Sequence, residues 1–262
     1  MPERGPKALV LQSPGINCDV ETRHALDRAG ADAKIVNIRE LMDREETLSD
    51  YEIMAIPGGF ANGDDLGAGK VLAIRLEQRL ADQVDNFIHQ RKGLILGICN
   101  GFQILTRSGL LPFGTMGQVE ASLEHNASGR FEWRTINLIA EEKSRSVFLK
   151  GMKEPFSLQV AHGEGRFMAP PQTLQRIEDE GLVVLRYVDA TGAPTQDYPA
   201  NPNGAMNAIA GITDPSGRIL GLMPHPERSV TRWGDPNWRR NPSVGAPGLE
   251  IFKKMVEYAA QM

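Results

Sequence analysis

The sequence predicts a single α/β domain, residues 1–262, with a mostly parallel central sheet, helices on both faces and a smaller β-rich extension. Three observations favour this fold class. Short apolar segments alternate with helix-like segments in the first half of the chain, as in βαβ units. Residues 93–98 are almost entirely apolar, which is typical of a strand buried on both faces. The second half carries successive strand candidates, and neither a linker nor an internal repeat divides the chain.

The elements follow from apolar periodicity and from the residues that end each segment. The first half has strand candidates at 7–11, 34–38, 51–56 and 93–98, and helix candidates at 20–30, 71–90 and 101–108. The second half has strand candidates at 131–139, 156–160, 182–188, 208–212 and 219–223, and a closing helix at 248–260. The irregular segments 193–207 and 232–248 are rich in residues that interrupt regular structure, and long loops of this kind are usually functional.

The composition narrows the possible functions. Lys and Arg number 29 against 33 Asp and Glu, a net charge of −4, which does not favour binding to a nucleic acid. No apolar run approaches the roughly 18 residues that span a bilayer, so no membrane partner is predicted, and residues 1–7 do not resemble a signal peptide. The two cysteines, Cys18 and Cys99, exclude a disulfide scaffold and a multi-thiolate metal site. We expect a cytoplasmic protein without a bound metal.

The most informative segment is an apolar strand that runs into Gly97-Ile-Cys99-Asn-Gly101 and then a helix. This is the thiol counterpart of the Gly-x-Ser-x-Gly nucleophile elbow. The sharp turn exposes the nucleophile above the strand, and the helix N-terminus favours a thiolate. The alternative is a buried, inert cysteine. Cys18 has no such context, and we expect it to be structural.

Among the five histidines, His225 is the candidate base. It follows an apolar strand within Met223-Pro-His-Pro-Glu227. Residues two apart in extended chain share a face, so Glu227 can orient the imidazole as the third member of a triad. His24 and His89 fall in helix-like segments and His125 in a polar turn, so we assign them no chemistry. The alternative for His225 and Glu227 is a solvated turn.

A cysteine nucleophile also needs hydrogen-bond donors for the oxyanion that forms in its reaction. The strand candidate at 51–56 ends in Pro57-Gly58-Gly59-Phe60. If this strand neighbours 93–98 in a parallel sheet, its end lies beside Cys99. The backbone N–H groups of this turn and of Asn100 are then the predicted donors.

Several segments spread over the chain carry a resemblance to a known family. They are Gly15-Ile-Asn-Cys-Asp19, Pro57-Gly-Gly-Phe60, Gly63-Asp64, Gly97-Ile-Cys-Asn-Gly-Phe-Gln103, Asn126-Ala-Ser-Gly-Arg-Phe131, Ala161-His-Gly-Glu-Gly-Arg-Phe167, Tyr198-Pro-Ala-Asn-Pro-Asn-Gly204 and Gly221-Leu-Met-Pro-His-Pro-Glu-Arg228. Together they resemble the triad-type (class I) glutamine amidotransferases, which have a flavodoxin-like fold. The resemblance is strongest to the branch of glutaminase subunits that serve phosphoribosylformylglycinamidine synthase in purine biosynthesis.

The resemblance implies a role for each candidate residue. Cys99 attacks the side-chain amide of glutamine, His225 manages protons and Glu227 orients His225. Substrate-binding roles fall to Gly58, Gly59, Phe60, Asn100, Gln103, Gly163 and Glu164. Ammonia passes to a synthetase subunit, with a small third subunit as a further candidate partner. ATP and Mg are expected in the synthetase, since this chain lacks a Gly-x4-Gly-Lys-Ser/Thr pattern and needs no cofactor of its own.

The sequence departs from the family pattern after Phe60. The usual continuation Ser-Tyr-Gly-Asp-Tyr-Leu-Arg-Ala-Gly is here Ala61-Asn-Gly-Asp-Asp-Leu-Gly-Ala-Gly69, which lacks the Ser, both Tyr residues and the Arg of the pattern. The usual arginine before Pro14 is also absent. Contacts to the partner or to the glutamine carboxylate in this loop therefore do not carry over from the family.

Three other functions stay open at the level of sequence. The chain is a glutaminase for another synthetase, a cysteine hydrolase or peptidase on a related elbow fold, or a catalytically silent binding module. The intact Cys99, His225 and Glu227 argue against the last. The segment 232–248, with Trp233, Trp238, Arg239 and Arg240, is a candidate docking surface for the synthetase. Its alternative is a surface loop packed by its own tryptophans.

Overall fold

A computed structural model describes residues 5–240 and 245–262. Residues 1–4 lie outside this range. They belong to the segment 1–7, which the sequence analysis expects not to be a signal peptide. The strands are β1 Lys7–Gln12, β2 Asp32–Asn37, β3 Ile53–Ile56, β4 Leu94–Ile98, β5 Ser122–Glu124, β6 Glu132–Ala140, β7 Phe156–His162, β8 Arg166–Met168, β9 Val183–Val188, β10 Ile209–Thr213 and β11 Ile219–Leu222. The α-helices are α1 Asp19–Ala29, α2 Ile38–Met42, α3 Lys70–Arg79, α4 Ala81–Asp85, α5 Asn100–Arg107, α6 Pro171–Asp179 and α7 Pro247–Ala259.

In the described part of the chain, nine strands form one sheet in the order β2-β1-β3-β4-β11-β10-β9-β6-β7. The first five of these are parallel, and the remaining pairings are antiparallel. The predicted α/β class is confirmed. The β-rich second half continues the parallel sheet with antiparallel strands. Among residues 5–240 and 245–262, only β5 and β8 form a separate small sheet.

The register of the central strands positions the candidate site. Ile56 of β3 lies opposite Gly97 of β4, and Ile98 of β4 lies opposite Leu222 of β11. Because these three strands are parallel, their carboxyl ends meet at one edge of the sheet. The segments that follow them contain Gly58, Cys99 and His225. Ligand sites of open α/β sheets form at such an edge.

The helix predicted at 71–90 is broken into shorter pieces. Leu80 has φ −125° and ψ 7° between α3 and α4, and residues 86–90 form a π-helical turn. Leu80, Val84 and Phe87 are all buried, so the break lets both pieces bury their apolar side chains. The helical spacing of apolar residues, on which the prediction of one helix rested, does not reveal such a bend.

Two helices were not predicted from the sequence. The strand candidate at 34–38 ends one residue early, because Asn37 caps α2: its side chain accepts from the N–H of Arg39 at 2.9 Å, and Glu40 accepts from the Asn37 N–H at 3.2 Å. The helix α6 begins at Pro171, a residue type favoured in the first helical turn. Within the described residues, no helix has the length and apolar character needed to cross a membrane.

Candidate active site

Cys99 occupies a strained turn between β4 and α5. Its φ of 51° and ψ of −103° are unusual for a residue with a side chain. A Cβ at Gly101 would collide with the carbonyl oxygen of Ile56, and one at Gly97 would lie 2.7 Å from the carbonyl oxygen of Gly101. The two glycines therefore let the chain turn sharply against β3, which is the elbow geometry that the sequence predicts.

The thiol of Cys99 is buried at the start of α5, where the first helical N–H groups are unpaired. Its Sγ lies 3.6 Å from the carbonyl oxygen of Ala161 on β7. The Cys99 N–H donates to the carbonyl of Leu222 at 2.8 Å, which ties the elbow to β11. The nucleophile is thus held between the central parallel strands and the far edge strand of the sheet.

His225 and Glu227 form a buried pair, as their spacing predicts. Nδ1 of His225 lies 2.5 Å from Oε1 of Glu227, and both residues are at most 3% exposed. The His225 N–H donates to the carbonyl of Gln159 at 2.8 Å, which fixes the main chain against β7. Burial lowers the pKa of His225, but the charges of Glu227 and Cys99 outweigh it and raise the pKa well above 6.5. The pair therefore favours an imidazolium.

Cys18 lies in the same site, which the sequence analysis did not foresee. Its ligand atom and those of His225 and Glu227 all lie within 4.8 Å of one another. Nη2 of Arg228 also contacts the Cys18 sulfur at 3.5 Å. Three such residues can hold a metal ion, but the guanidinium of Arg228 beside the sulfur opposes a cation there. No sequence pattern predicts this contact, since Cys18 and Arg228 are far apart in the chain.

The turn after β3, which contains Gly58, Gly59 and Phe60, reaches the candidate site. A Cβ at Gly58 would lie 2.8 Å from Cε1 of His225 and 3.5 Å from Cβ of Cys99. The Phe60 N–H donates to the carbonyl of Gly15 at 2.8 Å, so it is occupied. Across the described residues, the N–H groups of Gly58, Gly59 and Asn100 make no hydrogen bond. These three amides are the free donors of the predicted set.

The Asn100 side chain ties this turn to α5. Its Oδ1 accepts from the N–H of Ala61 at 2.9 Å, and its Nδ2 donates to Oδ1 of Asp64 at 3.1 Å and to Oε1 of Gln103 at 2.8 Å. Gln103 in turn donates from Nε2 to the carbonyl of Glu164 at 2.6 Å. Both ends of the Gln103 amide therefore have internal partners, and this side chain connects two segments predicted to bind substrate.

The segments around Asn126, His162 and Asn203 converge behind the turn at 163–165. Nδ1 of His162 lies 3.0 Å from Oδ1 of Asn126, which also accepts from the Gly165 N–H at 3.1 Å. Asn203 donates to the carbonyl of Gly165 at 2.8 Å. Burial, and then the charge of His225, lower the pKa of His162 to about 3. A neutral His162 and two buried amides thus hold the turn that contains Gly163 and Glu164.

The segment 232–248 packs partly on itself. The rings of Trp233 and Trp238 meet edge to face at a centroid distance of 4.9 Å, and the guanidinium groups of Arg232 and Arg239 lie over them. Trp233 is 61% exposed. Residues 241–244 lie outside the described range. These contacts are compatible with both the docking surface and the self-packed loop, so the docking role stays a prediction.

The fold and the site define a class. A thiol on a strand-to-helix elbow, a buried His–Glu pair and free backbone donors are what an amide hydrolase with a cysteine nucleophile needs. Residues 5–259 match the family model of the CobB/CobQ-like glutamine amidotransferase domain.

Curated relatives narrow the class. The PurQ subunit of phosphoribosylformylglycinamidine synthase from Dehalococcoides mccartyi is 43% identical over 260 residues, 98% of both chains. The PurQ subunit from Methanococcus maripaludis is 43% identical over 267 residues, 97% of both chains. The chain belongs to this PurQ family of glutamine amidotransferases, which confirms the resemblance seen in its motifs.

Solved structures agree with this assignment. The structure of PurLQS from Thermotoga maritima has a chain that is 32% identical, with a TM-score of 0.73 and coverage of 97% of this chain and 99% of that chain. A glutamine amidotransferase from the same organism, 14% identical with a TM-score of 0.58 over 98% of this chain and 99% of that one, shows the shared fold.

Proposed function

We propose that this chain is the glutaminase subunit of phosphoribosylformylglycinamidine synthase. It hydrolyses glutamine and supplies ammonia to an ATP-dependent synthetase subunit in purine biosynthesis. The observation that carries the proposal is the buried His225–Glu227 pair beside the Cys99 elbow. Membership in the PurQ family supports the choice of synthetase.

In the first half-reaction, the Cys99 thiolate attacks the side-chain carbonyl carbon of glutamine, forming a C–S bond. The carbonyl oxygen becomes an oxyanion, and the free N–H groups of the Gly58–Gly59 turn and of Asn100 stabilise it. The protonated Nε2 of His225 gives its proton to the departing nitrogen as the C–N bond breaks. Ammonia leaves, and a γ-glutamyl thioester remains on Cys99.

In the second half-reaction, the neutral imidazole of His225 takes a proton from water, which attacks the thioester. The C–S bond breaks, glutamate leaves and the Cys99–His225 ion pair is restored. Glu227 accepts the hydrogen bond from Nδ1 throughout, so the proton that moves is always on Nε2. Burial of all three side chains strengthens these charge interactions.

The partner and the compartment complete the proposal. A synthetase subunit consumes the ammonia and holds ATP and Mg, while this chain works without a cofactor of its own. The similarity to a chain in the structure of PurLQS from Thermotoga maritima supports a synthetase partner and a small third subunit. Cys18 and Cys99 are both free thiols, which supports a reducing, cytoplasmic location.

The deciding experiment measures glutamate release from glutamine by the chain alone and with the synthetase, ATP and formylglycinamide ribonucleotide. We expect release that rises in the complete mixture and disappears in Cys99→Ala. Two outcomes contradict the proposal. Stimulation only by a different synthetase would indicate another pathway. Absence of glutamate under every condition, with the synthetase active on free ammonia, would indicate a silent binding module.

A further inference from the structure

Arg107 is the last residue of α5, two helical turns after the nucleophile Cys99 and on the same face of the helix. Cys99, Gln103 and Arg107 are spaced four residues apart and therefore share one face of the helix. The chain from Ala161 to Glu164 runs beside this face, because Ala161 contacts Cys99 and Glu164 contacts Gln103. Helical side chains point back towards the N-terminus, so the Arg107 guanidinium lies towards Gln103. One helical turn, about 5.4 Å, separates each step.

The Arg107 guanidinium is only partly satisfied. Its Nη2 lies 3.4 Å from Oε2 of Glu164, which is longer than the roughly 2.8 Å of a tight charged hydrogen bond. Its Nε is buried and has no partner within the part of the chain that the structure describes. The Arg107 and Glu164 side chains are 30% and 20% exposed. Both charges are therefore held at the rim of the site with unused hydrogen-bonding capacity.

The guanidinium also fills the space beside Gly67. A Cβ at Gly67 would lie 3.2 Å from Nη2 of Arg107. Position 67 is where the family pattern has an arginine and this sequence has glycine. A positive charge is thus present beside the loop, supplied by α5 and not by the loop itself.

The charges around Arg107 match those of an amino acid. Asp64 is close enough to be affected by both groups: burial raises the pKa of Asp64, the Glu164 charge raises it further and the Arg107 charge lowers it. Glutamine has an α-carboxylate and an α-ammonium group at the end opposite its side-chain amide. With that amide at Cys99, the α-groups extend along α5 towards Gln103 and the cluster of Arg107, Glu164 and Asp64.

We propose that Arg107 and Glu164 recognise the α-groups of glutamine, Arg107 binding the α-carboxylate and Glu164 the α-ammonium. This proposal rests on the proposed glutaminase function. In the free protein, Arg107 and Glu164 form a weak ion pair with each other. When glutamine binds, each of them pairs instead with the oppositely charged α-group of the substrate. It makes Arg107 a determinant of specificity for the free amino acid over simple amides.

The test uses two analogues that each lack one α-group. Glutaramic acid lacks the α-amino group, and 4-aminobutanamide lacks the α-carboxylate. In the full complex, we expect Arg107→Gln to raise the KM for glutamine about 10- to 100-fold, with kcat changed less than threefold. The kcat/KM or inhibition constant for 4-aminobutanamide should stay unchanged, because that analogue has no carboxylate for Arg107 to bind.

Glu164→Gln provides the complementary arm. We expect its loss to appear with glutamine and 4-aminobutanamide but not with glutaramic acid. Arg107→Lys should recover part of the affinity, since it keeps the charge. Lys253→Gln is the matched control, because it removes a cation paired with Glu250 at 3.0 Å on the exposed face of α7. Calorimetric binding of glutamine to Cys99→Ala and to Cys99→Ala/Arg107→Gln measures the affinity without catalysis.

The outcomes separate the two proposals. A parallel loss with all three compounds, or a fall in kcat alone, would mean that Arg107 only braces the loop, and our assignment would be wrong. An unchanged KM and dissociation constant for glutamine in Arg107→Gln would also overturn it. Failure of the unmodified complex to release glutamate would refute the glutaminase function itself.

Discussion

Nδ1 of His225 lies 2.5 Å from Oε1 of Glu227, and both side chains are shielded from solvent. This contact leaves Nε2 of His225 as the only ring nitrogen that can exchange a proton with a substrate. It also places a negative charge where it raises the pKa of the imidazole. Two functional properties of the site, the tautomer and the protonation state, therefore depend on one carboxylate.

Glu227→Gln tests this dependence. We expect kcat for glutamine hydrolysis to fall by about 10²- to 10⁴-fold, because an amide does not enforce the tautomer or stabilise the imidazolium. The variant should keep its fold, since glutamine has nearly the same volume. Initial rates in the complex with the synthetase measure the effect. A loss smaller than tenfold would mean that Glu227 does not orient the base.

The pH dependence of the acylation rate is a second test of the His225–Glu227 contact. Formation of the thioester needs an imidazolium, which is lost as the pH rises through the raised pKa of His225. We expect the alkaline limb of acylation to lie above pH 6.5 and to move to lower pH in Glu227→Gln, where the raising charge is gone. Single-turnover rates across pH 5–9 measure it. An unmoved limb would contradict the assignment of that limb to His225.

Gly58→Ala tests the close packing of the turn against the base. The added Cβ would lie 2.8 Å from Cε1 of His225, so the ring must move. We expect kcat to fall about 10- to 100-fold, as displacements near 1 Å can do. Gly245→Ala is the control, because a Cβ there meets no atom of the described residues within 4 Å. Equal activity of the two variants would show that the ring tolerates the displacement.

At most positions an alanine variant is more stable than a glycine variant, and we expect the reverse order of stability at Cys99. Its positive φ of 51° costs a residue with a side chain about 1–3 kcal/mol. We expect inactive Cys99→Gly to be more stable than inactive Cys99→Ala by about 1 kcal/mol. At the exposed Gln175 on α6, alanine should be the more stable by about 1 kcal/mol. Denaturant unfolding of all four variants provides the comparison, and the same order at both positions would refute strain at Cys99.

Mild acid should destabilise the protein through His162. Its pKa in the folded state is about 3, whereas an unfolded histidine titrates near 6.5. The unfolded state therefore binds the extra proton first, and stability falls as the pH drops below 6.5, by about 2 kcal/mol at pH 5. The raised pKa of His225 acts in the opposite direction: its stabilisation is complete below pH 6.5 and is lost only as the pH rises through the raised folded-state pKa. It therefore does not cause a loss of stability in mild acid.

Comparison of variants isolates this effect. In His162→Asn, the free energy of unfolding should change less between pH 6.5 and pH 5 than in the unmodified protein. His24→Asn, at an exposed position of α1, should keep the original slope. Denaturant unfolding at the two pH values measures both. Parallel slopes in all three proteins would mean that another group carries the acid sensitivity.

The parts of the site that depend on local chain geometry could be predicted from the sequence. The flanking glycines define the Cys99 elbow, and a spacing of two places Glu227 beside His225. The position of Gly58 required only that β3 and β4 be parallel neighbours. Alternation of strands and helices likewise predicted the fold class.

The features that the sequence did not reveal arise from contacts between distant segments. Cys18 contacts Arg228 and His225 because α1 packs against the turn Pro226–Ser229, which follows β11. No local sequence pattern predicts this contact. The bend at Leu80 depends on what each half of that helix buries. The Arg107 guanidinium beside Gly67 is visible only when α5 and the loop are placed together.

The position of β11 inside the sheet, between β4 and β10, has a consequence for protein synthesis. The ribosome delivers Cys99 well before His225, and the intervening chain takes on the order of ten seconds to make. Throughout that interval the elbow can form with β1, β3 and β4, but it has no base. A nascent or truncated chain therefore cannot release ammonia, and hydrolysis begins only when the last central strand is inserted.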